Sequence, residues 1–168
     1  MALKDALLPE FDYEMANTRR TLERVPEDHF DWRPHEKSPT MGSLATHLAN
    51  IPSWCTYALQ QDSLDLAPGG QEQHFPAATS LKEVLQNFDT NVAAARQAIG
   101  NTSDEQFAVT WTLLKAGQTI LSMPRVVVLR GFVLNHIVHH RGQLTVYLRL
   151  NNVPVPALYG PSADESAF

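Results

Sequence analysis

The sequence predicts an all-α protein, a four-helix bundle with long connections, and three observations carry that prediction. Apolar residues recur at three- and four-residue spacing in four separate stretches of about 20 to 28 residues. Residues that favour helix starts, Thr40, Ser80 and Pro124, stand at the head of three of them. Polar segments containing proline lie between them. A length of 168 residues suits one domain, 1–168, with a core of useful size.

The first helix is expected from Asp5 to Glu23, with Leu8, Phe11, Met15, Thr18 and Leu22 on one face and Pro9 in its first turns. Val25-Pro26 ends it, and Glu27 to Pro39 reads as a loop with at most one short turn. A second helix starts after Thr40 and ends near Gln60, carrying Leu44, His47, Leu48, Ile51, Trp54 and Ala58. Pro52 falls inside this pattern, so a kink or a freed carbonyl is expected near residue 48. Asp62 to Thr79, containing Pro68-Gly69-Gly70, reads as an irregular connection. Ser80 caps a third helix, with Glu83 placed for a capping box and Gly100-Asn101 as the stop.

Asp104 to Met123 admits two readings. Thr110–Leu113 and Thr119–Leu121 form short strands around a turn at Lys115-Ala116-Gly117-Gln118, giving one short hairpin before the last helix, or the stretch is irregular. The fourth helix begins at Pro124, with Ser122 as a candidate cap, and runs to about Asn151. Its β-branched residues lower its intrinsic propensity, so burial must hold it. Val153-Pro154-Val155-Pro156 then forces an extended tail.

Composition narrows the partners. Hydrophobic residues make up 43% and charged residues 18%, and the net charge of −5 carries no basic face for a phosphate backbone; nucleic acid is not an expected partner. The start of the chain lacks a signal-peptide pattern, and the most apolar run, Val126–Leu134, contains Arg130 and is too short to span a bilayer, so no membrane partner is expected. A single cysteine, Cys55, excludes an internal disulfide and fits a reducing cytoplasm. Cys55 itself reads as a small buried apolar residue, the alternatives being a metal ligand or a nucleophile.

The chemistry concentrates in His136-Ile137-Val138-His139-His140-Arg141-Gly142-Gln143, which holds three of the seven histidines. On a helix, His140 lies about 40° from His136, Gln143 about 20° to the other side and Tyr147 about 20° away, a polar line down one face. His136 and His140 thus have the one-turn spacing by which two imidazoles grip one ion. His139 sits about 60° off that line and is expected to support rather than bind. A third ligand must come from another element, and His47, between Leu44 and Leu48 on an apolar face, is the natural choice. His29, His35 and His74 lie in loops.

Ile137 follows the first histidine where a zinc protease carries its glutamate base, and no Asp or Glu lies between Arg125 and Asp164. Metal-assisted proteolysis is therefore disfavoured. Three neutral imidazoles leave coordination positions for water or substrate, and Zn²⁺, Ni²⁺ and Fe²⁺ all accept such ligands. Arg141, about 140° from His136, reads as a surface or interface salt bridge, with ligand orientation or bundle support as alternatives. Gln143 reads as support for a ligand histidine, Gly142 as a point of close helix approach, and Trp54 as core or as the wall of a cleft.

These residues resemble the DinB/YfiT-like family of metal-dependent proteins. The resemblance rests on Gly42-Ser43-Leu44-Ala45-Thr46-His47-Leu48, on Asn135 to Leu144 with Tyr147-Leu148-Arg149, and on the tail from Val155 to Glu165. It implies a four-helix bundle, often a homodimer, holding one divalent metal ion, nickel or zinc, through His47, His136 and His140. Relatives that transfer low-molecular-weight thiols make a metal-dependent thiol transferase acting on a small electrophile the implied activity. A metal-dependent hydrolase, with Glu72 or Asp62 entering the site, and a non-catalytic metal-binding module closed by a ligand such as His74 are the alternatives.

Overall fold

A computed structural model describes residues 2–72 and 76–166. Helix α1 spans Leu3–Leu22. It starts two residues before the expected Asp5, whose carboxylate instead accepts the Ala2 N–H at 3.1 Å. Pro9 consequently lies beyond the first turn, where its missing N–H leaves the Asp5 carbonyl without a helical donor. The following loop holds a single 3₁₀ turn, Glu27–His29, and closes on the next helix through Met41 N–H to Trp32 C=O at 2.8 Å and Gly42 N–H to Phe30 C=O at 2.9 Å.

The expected second helix is two helices. Thr40 caps α2, Met41–Asn50, by accepting the Ser43 N–H at 3.2 Å. Ile51-Pro52 interrupts it, and α3, Ser53–Gln60, resumes after the break. The missing proline N–H ends one hydrogen-bond ladder, and the Trp54 N–H turns back to the Ile51 carbonyl at 3.1 Å to begin the next. Helix α4, Leu81–Asn101, is capped by Ser80, which accepts the Glu83 N–H at 3.2 Å. The Glu83 carboxylate does not close a box on Ser80; it accepts the Thr79 N–H at 2.9 Å.

The fold is mostly helical but not all-α. Strand β1, Ser63–Asp65, lies within the connection expected to be irregular, and it pairs in parallel with β2, Thr110–Lys115. Strand β3, Gln118–Pro124, pairs antiparallel with β2, so the sheet order is β1-β2-β3. The hairpin reading of Asp104–Met123 is therefore the correct one. Ala116 and Gly117, at φ 50° and 76°, supply the left-handed pair a two-residue hairpin turn requires. Asp65 draws β1 to that turn: its carboxylate accepts the N–H groups of Ala116 at 2.9 Å and Gly117 at 2.8 Å. A short helix α5, Asp104–Ala108, with a Ser103/Gln106 capping box, precedes β2.

The last helical run begins as α6, Arg125–Val128, widens into a π-helical stretch, Leu129–Asn135, and continues as α7, His136–Leu150. Ser122 does not cap it; its hydroxyl pairs with that of Thr112 across the hairpin at 3.0 Å. The wide stretch has a packing reason. Leu129, Val133, Ile137 and Arg141 are all buried at four-residue steps, and in a regular α-helix such a series drifts about 40° per step away from the core. The wider turns hold the early members of the series on the core face.

Helix α4 packs against α1, α2 and α3, while α7 packs against α1 and α2 and the π-helical stretch against α3. Phe11, Leu22, Leu44, Leu48, Phe88, Ile99, Val133 and Leu148 fill the space between them, and Trp111 and Phe107 seat the sheet on its edge. Among the described residues no helix is long and apolar enough to cross a membrane.

Candidate metal centre

The α2–α7 seam brings His47, His136 and His140 together. One ring nitrogen from each lies within 4.8 Å of the others. The Nε2 atom of His136 stands 3.3 Å from Nε2 of His47 and 2.9 Å from Nε2 of His140. His47 keeps an exposed edge, while the other two are half-buried. Its ring is set edge-on to His140 at 90°.

The far nitrogens fix which atoms face inward. His136 Nδ1 is 3.3 Å from the Phe132 carbonyl oxygen, and His140 Nδ1 is 2.7 Å from Oε1 of Gln143. Both oxygens only accept, so each Nδ1 carries the ring hydrogen and each neutral ring turns a bare lone pair at Nε2 toward the other. Two lone pairs 2.9 Å apart repel unless a cation lies between them. Imidazole nitrogens about 2.0–2.1 Å from one ion stand about 2.9 Å apart at a right angle and about 3.4 Å apart at the tetrahedral angle. The observed separations of 2.9 and 3.3 Å match that pair of values. In donor type, donor state and these two separations the three-histidine group fits a metal ion.

Electrostatics agrees. Burial, followed by the neighbouring His140 and His136, pushes the His47 imidazole down to about 4. Burial also lowers His136 and His140. All three rings are therefore neutral at neutral pH, the form that coordinates.

The remaining histidines divide as follows. Exposed His139 lies outside the group; its Nε2 accepts from the Gln143 amide at 3.0 Å, so Gln143 bridges it to His140. His29 closes the 3₁₀ turn and His35 accepts the Lys37 N–H at 3.1 Å, both apart from the seam. His74 lies outside the described residues. The two acidic candidates are committed elsewhere: Asp62 pairs with Arg125 at 2.9 Å, and Glu72 pairs with Lys115 at 2.5 Å.

Four expectations need correction or choice. Arg141 is no surface residue; it is 1% exposed, and its guanidinium reaches the Glu14 carbonyl at 2.9 Å, the Glu14 carboxylate at 2.6 Å and the Tyr159 hydroxyl. A residue about 140° from the ligand line faces α1, and α1 answers with a buried carboxylate. Gly142 makes no close approach, since a Cβ there meets nothing within 4 Å; the close glycine is Gly42, whose Cβ would stand 2.9 Å from Phe30. Trp54 is half-buried and stacks on Phe132 at 6.4 Å, while Cys55 is fully buried, its thiol pushed up to about 12, as an inert core residue.

Sequence reasoning missed the Phe132 carbonyl and the Glu14–Arg141–Tyr159 network. A backbone acceptor leaves no trace in side-chain identity. Glu14 did leave one, as a carboxylate between Phe11, Met15 and Thr18 on the apolar face of α1.

A helical protein with a small sheet and three histidines converging from two helices defines the class. The chain belongs to the DinB family, whose model matches residues 2–167. The uncharacterized protein YrdA of Bacillus subtilis (strain 168) is 24% identical over 168 residues, spanning 97% of this chain and 92% of the relative. Two solved structures share the fold. A DinB-like protein from Bacillus cereus ATCC 10987 superposes with a TM-score of 0.73 at 21% identity, over 94% of this chain and 98% of its own. The DinB-like protein YjoA of Bacillus subtilis gives 0.67 at 16% identity, over 90% and 96%.

Proposed function

We propose that this protein binds one divalent metal ion, nickel or zinc with iron as a further candidate, through His47, His136 and His140. We further propose that it transfers a low-molecular-weight thiol onto a small electrophile. The observation that carries the reading is the pair His136 Nε2 and His140 Nε2, 2.9 Å apart, with the Phe132 carbonyl and Gln143 amide oxygens on the far sides of the two rings.

A divalent ion bound there supplies a Lewis acid that favours the thiolate over the thiol. The chain's own residues supply the rest. The Phe132 carbonyl and the Gln143 amide oxygen hold two rings in the coordinating tautomer, and burial keeps all three neutral. Among the described residues no carboxylate joins the histidine group, which favours thiol transfer over hydrolysis, a reaction that needs a carboxylate base at the site.

The same reading takes α1, α2–α3, α4 and the α6–α7 run as the four members of a bundle, with the sheet appended, in one domain. It also takes the protein as a cytoplasmic homodimer. Elemental analysis of protein purified without added metal tests the centre: about one ion per chain is expected, lost in His136→Ala. Turnover of a panel of thiols with small electrophiles, dependent on that ion, tests the reaction. A metal-loaded protein inert across the panel would overturn the transferase reading and leave the centre standing.

A further inference from the structure

The walls of the histidine seam carry information about what enters it. Helix α2 meets the last helical run in antiparallel order: His47 lies against His136 and His140, and further along, Trp54 of α3 lies against Phe132 of the π-helical stretch. The Trp54 and Phe132 rings are stacked, 6.4 Å between centroids and 17° between planes, and both are only half-buried. Phe132 is tied to the centre itself, since its carbonyl holds His136 Nδ1. On the opposite side of the cluster Trp32 packs edge-on against Tyr147, whose hydroxyl donates to the Pro39 carbonyl at 3.3 Å. The histidines are thus flanked by an aromatic pair on each side.

Charge is missing from the same walls. No Asp, Glu, Lys or Arg occurs from Ser38 to Gln61, which includes all of α2 and α3, or from Gly131 to His140. In a chain that is 18% charged, both strips facing the cluster are bare of formal charge. A ligand bearing a carboxylate, phosphate or ammonium on its body finds no partner there and loses hydration on entry. A flat apolar body finds half-exposed aromatic rings to stack on.

We infer that the small molecule bound at the three-histidine cluster has a flat, uncharged, preferably aromatic body that packs on the Trp54–Phe132 pair, with its donor end toward the histidines. This rests on the metal-centre reading above and adds the class of ligand. Trp54 is then a specificity-determining residue: it touches the body of the ligand and leaves the histidine nitrogens alone.

Hydroxamates separate the two readings, because one metal-directed head can carry different bodies. Affinities of benzohydroxamate, acetohydroxamate and the monohydroxamate of succinate are measured by calorimetry on the zinc-loaded protein, for wild type, Trp54→Ala and Trp54→Phe. Benzohydroxamate is expected to bind at least tenfold tighter than either of the others. Trp54→Ala should erase most of that ratio without changing the metal content or the acetohydroxamate affinity. Trp54→Phe, which keeps a stacking ring and guards against a folding defect in the alanine variant, should restore it. Equal affinities for the three bodies, tighter binding of the succinate compound, or a benzo-to-aceto ratio unmoved in Trp54→Ala would each overturn the inference. A protein that takes up no zinc, or whose zinc binds none of the three, would overturn the metal-centre reading on which it rests.

Discussion

At the scale of residues the centre is built from behind. The inward nitrogens of His136 and His140 are dictated by two oxygens on their far sides, the Phe132 carbonyl and the Gln143 amide oxygen. Gln143→Leu keeps the volume and removes the acceptor, freeing His140 to swap tautomers and turn. The expected result is a loss of metal affinity of about 10- to 100-fold, measured by competition with a chelator, with Gln143→Glu, still an acceptor, largely retaining it. Arg141, one residue from His140, has a separate task. Its guanidinium, 1% exposed, neutralises Glu14 inside the protein. Arg141→Met fills similar space but strands that carboxylate, and a loss of about 3–5 kcal/mol is expected in urea unfolding. Glu14→Gln in the Arg141→Met background removes the stranded charge and should recover part of it.

At the scale of elements, glycine separates packing from propensity. Gly42, in the first turn of α2, lies against Phe30, and a Cβ there would sit 2.9 Å from that ring; Gly142, in the middle of α7, faces open space. Gly142→Ala should therefore stabilise by about 0.5–1 kcal/mol through helix propensity alone, raising Tm by roughly 1–4 °C. Gly42→Ala should destabilise by about 1–3 kcal/mol, since overpacking outweighs the same propensity gain. The contrast reverses what spacing alone suggested for Gly142, and it shows which parts of the molecule a sequence can reveal. Helix faces repeat, so α1, α4 and the ligand line His136–His140–Gln143 were legible from periodicity, and His47 from its place between Leu44 and Leu48. Pro52 announced a disturbance, though only the hydrogen-bond pattern separates a kink from the observed break. Strand β1 was illegible because three residues carry no period; its pairing depends on the Asp65 carboxylate meeting a turn some 50 residues away. The π-helical stretch was hidden for a related reason, since a burial series at four-residue steps is read from the core it faces.

At the scale of the whole molecule, the tail after α7 is fastened back onto the bundle, and the Tyr159 part of that fastening is expected to weaken in alkali. Asp164 pairs with Arg149 and accepts the Val155 N–H at 2.8 Å, and Glu165 pairs with Arg24 and accepts the Ala157 N–H at 3.0 Å. Tyr159 completes the attachment: its ring is largely exposed, but its hydroxyl turns inward, donating to the Glu14 carboxylate at 2.7 Å and accepting from Arg141. Burial, and next that bond to Glu14, pushes the phenol up to about 12 although Arg141 pulls the other way. An unfolded tyrosine ionises near pH 10, at about its ordinary value. Between these values the unfolded chain has released a proton that the folded chain still holds, so the folded state binds more protons and stability falls as pH rises. Cys55, whose buried thiol is also pushed up to about 12, acts with the same sign, beginning nearer pH 9 at about the ordinary thiol value. Below both ordinary values the two contributions are fully present, and neither moves acid stability. Urea unfolding at pH 8, 9, 10 and 11 should thus show a progressive loss in the wild type. Tyr159→Phe and Cys55→Ala, each less stable at pH 8 through its lost bonds or packing, should decline with shallower slopes than the wild type, and the double variant with the shallowest. Parallel slopes in all four proteins would mean that the alkaline limb arises from other groups and that the Tyr159 hydroxyl is not held protonated by its place against Glu14.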